Sequence, residues 1–385
     1  MKGRKLIITI MIAVFLFSIL HKDISYAKDE GLKEYYEETL QIPDYVTVKA
    51  IVIDITFDDT KEDKVDVPIE SDIRYQHLKI EILNGKHKGE VYTVRNTVEM
   101  IMPYKLIFKK NDIMLLRLTE DERGEVSSLK IYERSREGKL YFIVVLFVIL
   151  LIMIGGIKGL KSALTLVLMG LLIIFVFIPL ITKGYSPILV SIFTSIVTVI
   201  FTLTIISGLN KKTLTAILGT ISGVTIAGIL AMAVGKAACL TGVANEDAQM
   251  LAYIPQYKNI DYQGLLFGGI IIGALGAIID VAMSVSSSMW EIKEVHPKIQ
   301  TNDLIKSGMN IGKDIMGSMS NTLILAYVGT SIHLMIIFSI YNMNLIEIVN
   351  MDFVASEIIR AMAGSIGLLC SVPITVLIAA QLAKK

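Results

Sequence analysis

Between residues 28 and 138 apolar and polar side chains largely alternate. The runs YVTVKAIVIDITF (45–57), HLKIEIL (77–83), EVYTVRNTV (90–98), DIMLLRL (112–118) and EVSSLKIYE (125–133) are separated by DDTKED, NGKHKG and DERG. A period of two predicts half-buried strands, and the polar, glycine-containing separators predict tight turns. Five short strands in so small a module predict a β-barrel-like domain of OB or SH3-like type. At Leu140 the alternation stops. Seven apolar stretches follow, at about 140–157, 163–182, 187–209, 213–235, 264–285, 318–340 and 360–383. Most fall within the roughly 17–25 residues that a helix needs to cross a bilayer. The predicted fold is therefore an all-α bundle of seven transmembrane helices (residues 139–385) behind a β-rich domain (residues 28–138).

Residues 302–340 exceed one straight crossing at about 1.5 Å per residue. Gly308, Gly312 and Gly317 offer places to bend, so the pattern predicts an interfacial or re-entrant helix over 302–316 and then the span proper. Interrupted helices mark binding sites in several transporter folds. Gly219/Gly223 and Gly269/Gly273, extended by Gly228 and Gly276, predict close packing of the fourth and fifth spans.

The N-terminus pairs Lys2, Arg4 and Lys5 with an apolar run of about 15 residues. Ser25 and Ala27 follow at the −3 and −1 positions of a signal-peptidase site. Residues 1–27 thus predict a signal peptide, with an uncleaved anchor as the alternative, and export of the β-rich domain. Charge agrees with this orientation. The inside loops and tail would hold Lys158, Lys161, Lys211, Lys212, Lys293, Lys298, Lys306, Lys313, Lys384 and Lys385, while the outside loops would hold only Lys183, Lys236 and Lys258. The expected location is the bacterial plasma membrane, with residues 28–138 outside and the C-terminus in the cytoplasm.

A hydrophobic content of 53% and a mean hydropathy of +0.62 exclude an ordinary soluble chain. Residues 28–138 carry 24 acidic against 18 basic residues, a net of −6, which argues against nucleic acid as a partner. Only Cys239 and Cys370 are present, so the β-rich domain has no disulfide framework. Asp58, Asp59, Glu62, Asp63 and Asp66 lack EF-hand spacing and its glycine and read as a solvated loop. Lys86-His87-Lys88 reads as an exposed hairpin tip.

With so few acids in the apolar region, each one is informative. Asp280, Ser284 and Ser287 share one helical face, and so do Ser307, Asn310, Asp314, Ser318 and Asn321. A carboxylate facing lipid is costly, so these faces would turn toward each other or a wet cavity. Two carboxylates among amides and hydroxyls suit a hard cation, a proton relay or a solute. The competing reading leaves Asp280 in the cytoplasmic headgroups and pairs Asp314 with Lys313 or Lys306. His333 reads as a packing histidine, Glu357 and Arg360 as an anchoring ion pair, and Trp290 as an interfacial anchor.

No Walker A, HExxH, GxSG or strand-borne GxGxxG is present, and the YD and GxGD motifs of intramembrane aspartyl proteases are missing. Neither an enzymatic reaction nor a cofactor is expected.

The blocks GMNIGKDIMGSMSNTLILAYVG (308–329) and DVAMSVSSSMWEI (280–292), with the layout of signal, β module and seven spans, resemble the YibE/F-like membrane proteins, a family common in Gram-positive bacteria. The resemblance implies a permease-like architecture and carries no reaction with it. The function expected is ion- or proton-coupled passage of an unknown small solute or ion through the bilayer. The alternative is a non-transporting scaffold for cell-envelope assembly whose exported domain binds an envelope protein.

Overall fold

The computed structural model describes residues 45–60 and 72–384. Residues 1–27, expected to be a signal peptide, and Glu62, Asp63 and Asp66 lie outside the described residues. The chain forms two compact units that divide between Ile149 and Leu150, inside the first long helix.

The first unit is a nearly closed five-stranded antiparallel barrel. Its strands are β1 (Val46–Asp58), β2 (Ile73–Ile82), β3 (Val91–Glu99), β4 (Ile113–Glu120) and β5 (Val126–Arg134), in the order β3-β2-β1-β4-β5. β3 also approaches β5. β1 is long enough to pair with β4 through Val46–Ile51 and with β2 through Ala50–Asp58. Register shifts between Val52 and Asp54 and between Ile55 and Phe57 let it bend from one partner to the other. Alternation sends Val48, Ala50, Val52, Leu78, Ile80, Ile82, Val94, Met114, Leu116 and Leu118 inward as one core.

β2 begins earlier than its apolar run predicts, because its first inward positions hold Arg74 and Gln76, both buried. Gln76 accepts from the Phe108 amide at 2.9 Å and from Asn96 Nδ2 at 3.1 Å, and donates to the Phe108 carbonyl at 3.1 Å. Asn96 also donates to the Leu106 carbonyl at 2.6 Å. Two buried amides thereby fix the β3–β4 connection across one end of the barrel, with Phe108 as its plug.

Two expectations are corrected, one at each end of the barrel. His87 is buried, not an exposed tip. Its Nδ1 lies 3.1 Å from both Glu90 carboxylate oxygens and its Nε2 lies 3.1 Å from Glu120 Oε1, so it clasps the β2–β3 turn to β4. Gly85 and Gly89, both at positive φ, let that turn fold back. Asp59 is likewise buried: its carboxylate accepts from the Tyr75 amide at 2.6 Å, so it ends β1 and is no part of a solvated loop.

The helices are α1 (Glu137–Thr182), α2 (Pro187–Ser207), α3 (Lys211–Ala237), α4 (Glu246–Tyr253), α5 (Tyr262–Val295), α6 (Thr301–Thr330), α7 (Ile332–Ile340), α8 (Leu345–Asn350) and α9 (Asp352–Leu382). Among the described residues five helices are long and apolar enough to cross a membrane, or six if the bent pair α6–α7 counts as one. α1 has 46 residues and is interrupted at Gly156, whose φ of 55° and ψ of −133° are not helical. A Cβ on Gly159 would lie 1.9 Å from the Leu151 carbonyl oxygen, so the chain doubles back sharply there.

In the second unit α3, α5 and α9 pack on one another, α2 lies against α5 and α3, and α6 lies against α9 and α5. Val199, Ile278, Val285, Leu368 and Val372 mark their shared core. Small residues permit the close approach of α3 to α5, the pair expected, and of α3 to α9 as well. Gly219 and Gly223 face Thr375 and Ser371 of α9, while Gly228 and Gly235 meet Ile271 and Phe267 of α5. Gly269 and Gly276 touch nothing, because that edge of α5 faces outward.

Candidate functional site

α6 differs from its predicted course. It runs unbroken through Gly308, Gly312 and Gly317, and bends by 58° only at Ser331. Two of those glycines serve packing: a Cβ on Gly308 would meet Met289 at 2.6 Å and one on Gly312 would meet Val372 at 2.2 Å. The polar stripe is real as a helical face, and it points away from the bundle. Asn310, Asp314, Ser318 and Asn321 are exposed on α6, and Asp280 and Ser284 are exposed on α5, with Ser287 half-buried. Among the described residues Asp280 and Asp314 make no hydrogen bond or ion pair. Gly269, Gly273, Gly276, Asp280 and Ser284 thus form one outward edge of α5, small toward one end and polar toward the other. α5 and α6 pack antiparallel, since Gly308 meets Met289 and Gly273 meets the Tyr327 hydroxyl at 3.2 Å.

The break at Ser331 opens a cavity of about 250 Å³ between α6–α7 and α8–α9. Its walls are almost entirely apolar, with Met335, Phe338 and Phe353 among them, and its polar groups are Tyr327, Ser331 and Glu357. Glu357 and Phe353 also line a second, smaller cavity beside Ser356, Arg360 and Asn245. Arg360 Nη1 lies 3.5 Å from Glu357 Oε1 one helical turn away, and both side chains are largely covered. Among the described residues the buried Arg360 Nε has no hydrogen-bond partner, and neither do the buried hydroxyls of Ser320 and Ser365. The ion pair predicted as an anchor at the outer start of the last span stands between two cavities, one lined by polar groups and one almost entirely apolar. Asp352 accepts from the Thr241 hydroxyl and from its amide at 3.4 Å, which ties the loop after α3 to the start of α9 beside these cavities.

Other predicted positions resolve individually. Trp290 is half-buried, and its Nε1 donates to Thr215 Oγ1 of α3 at 3.4 Å. His333 is exposed on α7 and is not packed. Among the described residues no group of three or more histidine, cysteine or carboxylate side chains is placed to hold a metal ion. Sequence reasoning missed the cavity because its break carries no proline. The available signal was Gly329-Thr330-Ser331 followed by His333 inside an apolar run.

These features define a class: an antiparallel β-barrel domain followed by a helical region with several helices suited to a bilayer. Within it, the family model for YibE/F-like protein matches residues 143–385, and that for the YibE/F family N-terminal domain matches residues 44–133. The chain belongs to the YibE/F family. No curated protein and no solved structure matches it.

Proposed function

We propose that the chain is a multi-pass membrane permease whose solute site is the cavity at the α6–α7 break. The observation that carries this reading is the cavity itself: apolar walls around three polar groups, beside an arginine whose Nε is buried, at the interruption of a membrane-type helix. Seven crossings are the finer part of the proposal. A helix of 46 residues would be about 69 Å long against an apolar core of about 30 Å, and the turn at Gly156 supports two crossings in its place. The strand order with β3 beside β5 supports an OB-type barrel for the exported domain.

Under this topology Glu357 and Arg360 lie toward the outer surface, and Asp280 and Asp314 lie toward the cytoplasm. The α5–α6 stripe then supplies carboxylate, amide and hydroxyl oxygens to a coupling ion or proton on the inner half of the path. Its exposure on a single chain calls for water or a covering segment, since a carboxylate is not left against lipid. A metabolite and ion profile of a deletion strain tests the reading. The expected result is one solute displaced from its normal level and restored by the wild-type chain but not by Glu357→Gln. An unchanged profile contradicts it.

A further inference from the structure

The β3–β4 connection carries a patch of apolar side chains that no other part of the barrel explains. Ile101, Met102 and Tyr104 are each half exposed, and Pro103 between them is exposed too. This segment is anchored, not loose. The Tyr104 hydroxyl donates to Glu133 Oε1 at 2.7 Å and accepts from the Arg136 guanidinium, which also stacks over the Tyr104 ring. Glu133 and Arg136 stand at the end of β5 and immediately before α1, within the same compact unit. The fully apolar surface of α1 begins at Leu140, only about 6 Å of helix beyond Arg136.

From this juxtaposition we infer that residues 101–104 are a membrane-surface anchor, which inserts into the headgroup and acyl boundary of the outer leaflet beside the first crossing. The occupant is the lipid bilayer. Leu140, Tyr141, Phe142 and Ile143 of α1 are all more than half exposed and need an apolar surrounding from the first turn onward. That surrounding reaches the level at which Tyr104 is held. Aromatic and apolar side chains with a polar handle suit this layer, and Lys105, Arg136 and Lys139 place cations at headgroup height. The barrel's membrane-facing end is then the end plugged by Phe108, and the His87 clasp lies at the end facing away. The inference rests on α1 crossing the bilayer, not on solute passage.

Tryptophan depth measurements on the full chain test it. In a Trp290→Phe background, Met102→Trp and Phe147→Trp are each reconstituted into vesicles of brominated phosphatidylcholine and phosphatidylglycerol. Phe147 is half exposed on α1 and reports whether that helix is in lipid. Both residues are expected to lose fluorescence to bromine, with Met102→Trp emission blue-shifted and insensitive to aqueous iodide. Quenching of Phe147→Trp alone, with Met102→Trp open to iodide, overturns the anchor and leaves the crossing intact. Shielding of Met102→Trp from both quenchers overturns it in favour of cover by a second copy of the chain. Absence of lipid quenching at both positions overturns the crossing itself, and the anchor with it.

Discussion

At the scale of single residues, His87 is the position whose environment sets a pH dependence. Burial works against its imidazolium, but the hydrogen bonds and charges of Glu90 and Glu120 outweigh that and raise it above its ordinary 6.5. Glu90 is lowered below its ordinary 4.5, first by the Tyr92 hydroxyl and then by His87. A raised histidine stabilises the fold below its ordinary value and loses that effect as pH rises through the raised one. A lowered carboxylate stabilises the fold above its ordinary value and loses that effect as pH falls through the lowered one. The clasp thus contributes fully between 4.5 and 6.5. The barrel of the full chain is expected to melt at a higher temperature near about pH 5.5 than near about pH 8.5, and His87→Gln is expected to remove that difference. An unchanged difference in the variant would place its cause elsewhere. Gly312 offers a residue-scale test in the bundle. Gly312→Val drives a side chain into Val372, with an expected loss of about 1–3 kcal/mol or more, read as a lowered melting temperature in detergent.

At the scale of elements, the predictions concern how connections are held. Gln76→Ala strips the Phe108 amide and carbonyl and the Asn96 amide of a partner in a buried site. A cost of about 1–3 kcal/mol is expected, with faster hydrogen exchange confined to residues 106–108. Slow exchange there in the variant would mean that the plug is held by Phe108 packing alone. In α1 the turn at Gly156 predicts that Lys158 faces the cytoplasm. In a Cys239→Ser, Cys370→Ser background, Lys158→Cys is expected to react with a membrane-impermeant thiol reagent only after the inner face is opened. Labelling from outside would refute two crossings in α1.

The same elements show why part of the fold was legible in the sequence and part was not. Alternation identified all five strands because their inward positions are mostly aliphatic, and it clipped β2 because Arg74 and Gln76 take two inward places. Hydropathy found each membrane-type helix. It could not find the bend, because Gly308 and Gly312 are small for the sake of neighbours that only tertiary structure brings near, and Gly317 lies in unbroken helix. The spacing of Asp280, Ser284, Asn310, Asp314, Ser318 and Asn321 correctly gave two helical faces. Spacing fixes which residues share a face but not which way that face turns, and here both turn outward. Glu357 and Arg360 read as an ordinary i, i+3 pair, and only the packing of α9 beside the broken helix and beside the loop after α3 makes them cavity walls.

The proposed reading of the whole molecule is a permease that passes a solute through a groove at a broken helix. Its most direct test is the flux of the solute that the deletion strain misallocates, measured in proteoliposomes of the purified chain. Wild-type vesicles are expected to accumulate it, with Glu357→Gln and the groove-filling Met335→Trp slowed at least about tenfold while inserting normally. Equal flux in vesicles with and without the protein, or undiminished flux in both variants, would contradict it.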